Sequence, residues 1–255
     1  IYGSIRNTET GSFQTSNVLT YDKRFQKKHK VVVQLGQEFV KRWTRVLESG
    51  VSGLPTDEFI LGDMSLGTPS VASSDENYDD NLLSFFARLN YDFTDKYLFS
   101  ATFRADGSSK FGKNNKWGYF PAVSAAWRVG EEEFIKKVDF ISSLKLRLSY
   151  GVTGNDAVSI YGTQSNVSNR NYDFGGDVST SYYKNGLANS KLTWERTQEF
   201  NIGLDFGFFR NRINGSLDVY QRTSKDLIME RQLPSTTGWT SVWDNIGKVR
   251  NTGLE

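Results

Sequence analysis

The chain of 255 residues is long enough for a sizeable core, carries 31 Lys and Arg against 29 Asp and Glu, and has one histidine and no cysteine. These numbers exclude disulfides, thiolate metal sites and Cys nucleophiles, and a net charge of +2 is too small to argue for a nucleic-acid partner. Aromatics at 14% with only 4 prolines favour strands over helices. No apolar run is long enough for a helical span, so any membrane crossing falls to strands that hide their apolar half by alternation.

In chain order, 13–25 and 31–39 form a first, weak strand pair around the basic turn Lys27-Lys28-His29-Lys30. His29 stands there without a Cys or second His to share a metal. A long connection follows from Gly50 to Asp80. Its acidic end, Asp75-Glu76-Asn77-Tyr78-Asp79-Asp80, offers oxygen donors of the kind Ca²⁺ takes but lacks EF-hand spacing, and reads as a solvated loop.

The clearest stretch comes next. Leu83, Phe85, Ala87, Leu89, Tyr91 and Phe93 alternate with polar neighbours, and after a tight turn at Thr94-Asp95 the pattern resumes with Tyr97, Phe99, Ala101, Phe103 and Ala105. Period-two alternation of this length is a strand with one greasy and one wet face. The same pattern recurs over 117–129, 144–153, 200–208 and 213–220, with a final strand-like stretch closing the chain. About nine strands result. They exceed the roughly 5 to 6 residues usual for soluble strands.

Connections alternate between short and long: 94–95 and 210–211 against 154–191 and 227–245, with a helical turn inside 130–143. An up-and-down transmembrane barrel with short turns at one rim and long loops at the other has this asymmetry. A soluble carbohydrate-binding β-sandwich and a passive porin or adhesin barrel are the competing readings. The start at Ile1 without an export signal, and the end at Glu255 within a strand pattern, point to a fragment of a longer protein.

Asp106-Gly107-Ser108-Ser109 reads as turn chemistry at a strand end. Inward Ala122, Ser124 and Ala126 leave room on the wet face, and Arg88, Arg104, Arg128, Lys145 and Arg147 with Asp92, Asp106 and Asp205 suggest ionic contacts along it. No catalytic constellation is visible, so we expect no enzyme and no cofactor. The candidate site residues are the aromatics of the long loops, Tyr161, Tyr172, Tyr182, Tyr183, Trp239 and Trp243, whose faces can stack on sugars or grip peptide side chains, or pack against one another or a lid protein.

Three segments together carry a resemblance: Asp106-Gly107-Ser108-Ser109-Lys110-Phe111-Gly112, then Phe120-Pro121-Ala122-Val123-Ser124-Ala125-Ala126-Trp127, then Leu144-Lys145-Leu146-Arg147-Leu148-Ser149-Tyr150-Gly151-Val152-Thr153-Gly154-Asn155. Their succession resembles the barrel of SusC/RagA-family TonB-linked outer-membrane proteins of Bacteroidetes. The resemblance implies that 1–255 is part of a receptor barrel of about 22 strands, with the plug domain and signal peptide outside it. It also implies residence in the cell outer membrane, a SusD-like surface lipoprotein partner, coupling to TonB-ExbB-ExbD through the missing N-terminal part, and import of an oligosaccharide or peptide.

Overall fold

The computed structural model describes residues 2–55 and 64–255, and of residues 71–77 the backbone alone. Nine strands form one sheet: β1 (Tyr2–Phe25), β2 (His29–Ser52), β3 (Thr68–Phe93), β4 (Tyr97–Ser108), β5 (Trp117–Trp127), β6 (Ile141–Asn155), β9 (Glu195–Phe208), β10 (Ile213–Lys225) and β13 (Lys248–Leu254). Two further hairpins, β7 (Val167–Phe174) with β8 (Asp177–Lys184) and β11 (Ile228–Gln232) with β12 (Ser241–Asn245), are insertions in the long loops. Leaving them out, each strand neighbours the next in sequence, which is up-and-down order rather than the two packed sheets of a sandwich.

Two expectations need correction. The connection expected from Gly50 to Asp80 is mostly strand, since β2 runs to Ser52 and β3 starts at Thr68. Of the acidic run, Asp79 pairs with Lys41 at 3.4 Å and Asp80 is buried against Arg42, while the side chains of 75–77 lie outside the described residues. In Asp106-Gly107-Ser108-Ser109 only Ser109 enters the turn, where Ser108 Oγ accepts the Lys110 N–H at 3.4 Å. β4 continues through Ser108, opposite β5 as far as Gly107 with Trp117.

The chain divides into two compact units, Ile1–Thr15 with Phe39–Asn81, and Ser16–Glu38 with Leu82–Glu255. In the first, Trp43 lies over Gly11, where a Cβ would meet the indole at 2.2 Å, and Val46, Val51 and Leu54 are buried.

Sidedness in the second unit is inverted relative to a water-soluble protein. Register places Phe85, Ala105 and Tyr119 on one face, and Leu148, Ile202 and Val219 on the same face further along. These large apolar groups stand open: Phe103 is 49% exposed, Leu148 45% and Ile202 43%. Half-open as they are, each forgoes on the order of 1 kcal/mol if water is its solvent, and the sum over the face is large beside the marginal stability of a domain. Buried polar side chains, Ser84, Asp106 and Thr223 among them, lie on the opposite face.

β5 begins and ends on tryptophan, a rise of about 33 Å along the strand and about 25 Å vertically at the usual tilt near 40°. That is the height of the apolar band of an outer-membrane barrel. Aromatic rows mark both limits. Trp117 stacks on Phe85 and Tyr119 on Phe103 at one rim; Tyr97 stacks on Trp127 and on Phe93 at the other, with Phe206, Phe208 and Phe140 continuing the second row.

The short-turn rim is tightly fastened. Thr94 and Asp95 both take positive φ (58° and 57°), as a two-residue hairpin turn demands, and the Asp92 carboxylate accepts the Asp95 N–H at 2.8 Å. The helical turn expected in 130–143 is present as α1 (Glu133–Lys136). Glu132, just before it, accepts from Lys96 Nζ at 3.0 Å, Tyr97 OH at 2.8 Å and Trp127 Nε1 at 3.2 Å. The Lys96 and Tyr97 hydrogen bonds, joined by the indole, hold the Glu132 pKa down at about 2, and the same contact raises Lys96. His29 is not a solvated turn residue: it opens β2, bonds Tyr91 OH at 2.8 Å and packs on Phe93.

Candidate functional site: outer loops above a polar wall

The wet face carries fixed, internally paired charges. Arg104 reaches Glu38 at 3.0 Å, Ser84 at 2.9 Å and Asp106 at 2.7 Å. Arg147 forks onto Asp205 and bridges to Asp218, both at 2.9 Å. Gly203 makes that bridge possible, because a Cβ there would lie 2.5 Å from Asp218 and 2.7 Å from Arg147. Arg222 binds Glu199 at 2.7 Å, and Arg88 bonds Thr102 at 3.3 Å. Asp92 and Arg128 turn out to serve the short turns instead. Between these groups lies a recess of about 610 Å³ floored by small and hydroxylic residues such as Ser100, Ala122, Ser124 and Gly151. The small inward row thus leaves space.

Over one end of this wall the long loops converge on an aromatic core that sequence reasoning missed. Phe111, Phe120, Val158, Leu192 and Trp194 are buried together, Leu192 completely. Phe120 is the only strand residue of the five, at a wet-face position of β5. Its ring sits where the Cβ atoms of Gly118 and Gly154 would be, at 2.4 and 2.0 Å, so those two glycines seat it. Pro121, which has no N–H to give, stands where β5 leaves the β6 ladder: that pairing runs only from Ala122 with Gly151 onward.

Polar clamps surround the core. Asp156 accepts from Ser108 Oγ at 2.9 Å and faces Lys110 Nζ at 3.8 Å; Trp194 Nε1 donates to the Lys116 carbonyl at 2.9 Å. Asn245 pairs with Thr193 through both N–H and C=O, at 2.8 and 2.9 Å, and Asn189 donates to the Trp243 carbonyl at 2.8 Å. The segments that carried the resemblance therefore meet here, as one fastening of the loops to the wall.

The expected site residues do not form one cluster. Trp243, in β12, is partly buried and packs against the aromatic core from its edge. Trp239 lies half-buried beyond the turn Ser235–Thr237, and Tyr161 sits in a turn with φ 63°. Tyr172, Tyr182 and Tyr183 share the β7–β8 hairpin, but pairing divides them. Tyr172 and Tyr183 lie on one face with Phe174, whose ring is 4.9 Å from that of Tyr172, and Tyr182 lies on the other. All three are open, Tyr182 at 74%.

A single sheet with one apolar face banded by aromatics, one ion-paired polar face, and long loops at one rim defines a transmembrane β-barrel wall. The chain belongs to the family described as TonB dependent receptor-like, beta-barrel, whose model matches residues 2–255. It is 41% identical over 180 residues to the TonB-dependent receptor SusC of Bacteroides thetaiotaomicron, covering 68% of this chain and 18% of SusC. It is 32% identical over 253 residues to the TonB-dependent receptor P26 of Formosa agariphila, covering 99% of this chain and 26% of that protein. Among solved structures, the RagAB peptide transporter matches with a TM-score of 0.87 at 28% identity, covering 98% of this chain and 28% of that one. The siderophore receptor PirA of Acinetobacter baumannii shares the fold, with a TM-score of 0.61 at 16% identity. The chain thus spans about a quarter of the length of P26.

Proposed function

We propose that 1–255 is part of the barrel domain of a TonB-dependent importer in the cell outer membrane, a wall of about 22 strands around a plug, working with a SusD-like lipoprotein to bring in an oligosaccharide or peptide. The observation that carries this is the wet face. Arg104, Arg147 and Arg222 are spent on neighbouring carboxylates and Arg88 on a threonine hydroxyl, and the recess beside them is small-floored. A wall of this kind suits a filling that must move past it, because the partners it could grip are already engaged. The relatives support the reading: SusC is a TonB-dependent receptor, and RagAB is described as a peptide transporter.

The chain contributes wall and vestibule and no chemical step. Loops fastened at their base can present the exposed Tyr172 and Tyr183 face to ligand or lid. Uptake of labelled oligosaccharide and labelled peptide mixtures should be measured in cells with the full-length gene deleted and restored, with and without a working TonB. Uptake of one class is expected to need both. Uptake that persists without TonB would instead make the barrel a passive pore.

A further inference from the structure

On the apolar face, β1 to β4 enclose a groove of about 800 Å³. Its floor is Ala87 and Ala105, and its walls are Phe85 and Phe103 with Leu19 and Leu35. The floor is small because alanines and phenylalanines alternate across the ladder, Phe85 opposite Ala105 and Ala87 opposite Phe103. The result is a slot floored by methyl groups and flanked by two rings.

At the edge of this slot stands a polar pair. Asn17 Nδ2 donates to Gln37 Oε1 at 3.2 Å, and both residues line the groove. Two residues along from Leu19 and Leu35, they share the apolar face with them. Phe85 and Phe103 also stack on Trp117 and Tyr119, so this rung lies at the aromatic limit of the apolar band, where lipid chains meet their ester or amide linkages. Paired amides there keep a free N–H and a free carbonyl lone pair for a linkage of that kind.

We infer that this groove holds one acyl chain of a bilayer lipid from the long-loop side of the membrane, with its ester or amide linkage hydrogen-bonded to the Asn17–Gln37 pair. The inference rests on the membrane-facing reading of the apolar face. Continuity of the groove with that face, and the change from apolar walls to an amide pair at the level of the aromatic row, select a lipid over a protein segment.

The test uses the full-length protein in phosphatidylethanolamine and phosphatidylglycerol vesicles doped with chain-labelled nitroxide lipid. Wild type is expected to show a motionally restricted lipid component that disappears in Ala87→Leu/Ala105→Leu, whose added methyl groups fill the floor, and that exchanges faster in Asn17→Leu/Gln37→Met. An unchanged restricted component in the filled variant overturns the inference. If the filled variant does not fold, Ala105→Cys capped with an alkyl thiol reagent after folding blocks the same floor and is read in the same way. A nitroxide on Leu148→Cys, in β6, reports the membrane itself. If that label sits in hydrocarbon while filling changes nothing, the groove proposal alone fails. If the label sits in water, the membrane reading fails with it.

Discussion

The stretch from Asp156 to Trp194 contains two regions of opposite character. Its ends are locked: Val158, Leu192 and Trp194 are buried among Phe111 and Phe120, and Asp156 is tied to Ser108 and Lys110. Its middle, the β7–β8 hairpin, keeps its tyrosines exposed on both faces and is held by its own ladder and a few local bonds, such as Asp173 to the Gly176 N–H at 2.7 Å. Aromatic residues in the same loop are thus used in two ways. Those near the wall fix where the loop emerges, and those at the tip are free to meet something else. Richness in aromatics alone does not identify a binding surface.

The largest expected effect is at the base. Trp194→Ala removes a ring packed at 5.3 Å from Phe111 and 5.4 Å from Phe120, and frees the Lys116 carbonyl. Loss of about 3–5 kcal/mol of local stability is expected, seen as rapid protease nicking between 156 and 194 in the otherwise intact barrel. A nicking rate equal to wild type would mean that the core does not hold the loop. Asp156→Ala comes next, at about 1.5–3 kcal/mol, because a partly buried carboxylate that accepts from Ser108 and faces Lys110 is lost. Hydrogen exchange at 108–116 should rise with it, and unchanged exchange there would separate the two loops.

The short-turn rim gives a pH counterpart. Glu132 titrates at about 2 when folded, against an ordinary 4.5, so the stability it contributes is present above 4.5 and lost as pH falls towards 2. Lys96 is raised, so its share is present below its ordinary 10.5 and lost as pH rises through the folded value. Acid titration of thermal stability in detergent should lose part of its slope between pH 4.5 and 2 in Glu132→Gln. An identical slope would remove the fastening role.

The strands that run between apolar solvent and a polar lumen were legible because two unlike surroundings impose period two, as in Leu83 to Phe93. The β7–β8 hairpin was not, since polar residues occupy both of its faces and no alternation marks it. The aromatic core was hidden for a different reason. Phe111, Val158 and the Leu192–Trp194 pair are apolar residues in polar loops, separated in sequence by more than 30 residues from one group to the next, and only the sheet brings them to Phe120. Turn chemistry placed the turn early at Asp106-Gly107-Ser108: the strand runs through Ser108, and Gly107 serves packing beside Trp117, where a Cβ would lie 3.1 Å from the indole, rather than a positive φ.

The smallest stability effect sharpens the comparison most. Tyr172→Ala with Tyr183→Ala strips the hairpin face that also carries Phe174, yet neither ring is buried, so stability and nicking rate should stay within about 0.5 kcal/mol of wild type. If this face meets ligand or the lipoprotein, uptake falls while the fold is untouched. Tyr182→Ala, on the opposite face, serves as the internal control: it removes an even more exposed ring from the same hairpin, so a loss confined to the double variant assigns the contact to one side of the hairpin. Equal loss from both would mean that the hairpin is gripped on two faces, and no loss from either would return all three tyrosines to the role of solvent-exposed strand residues.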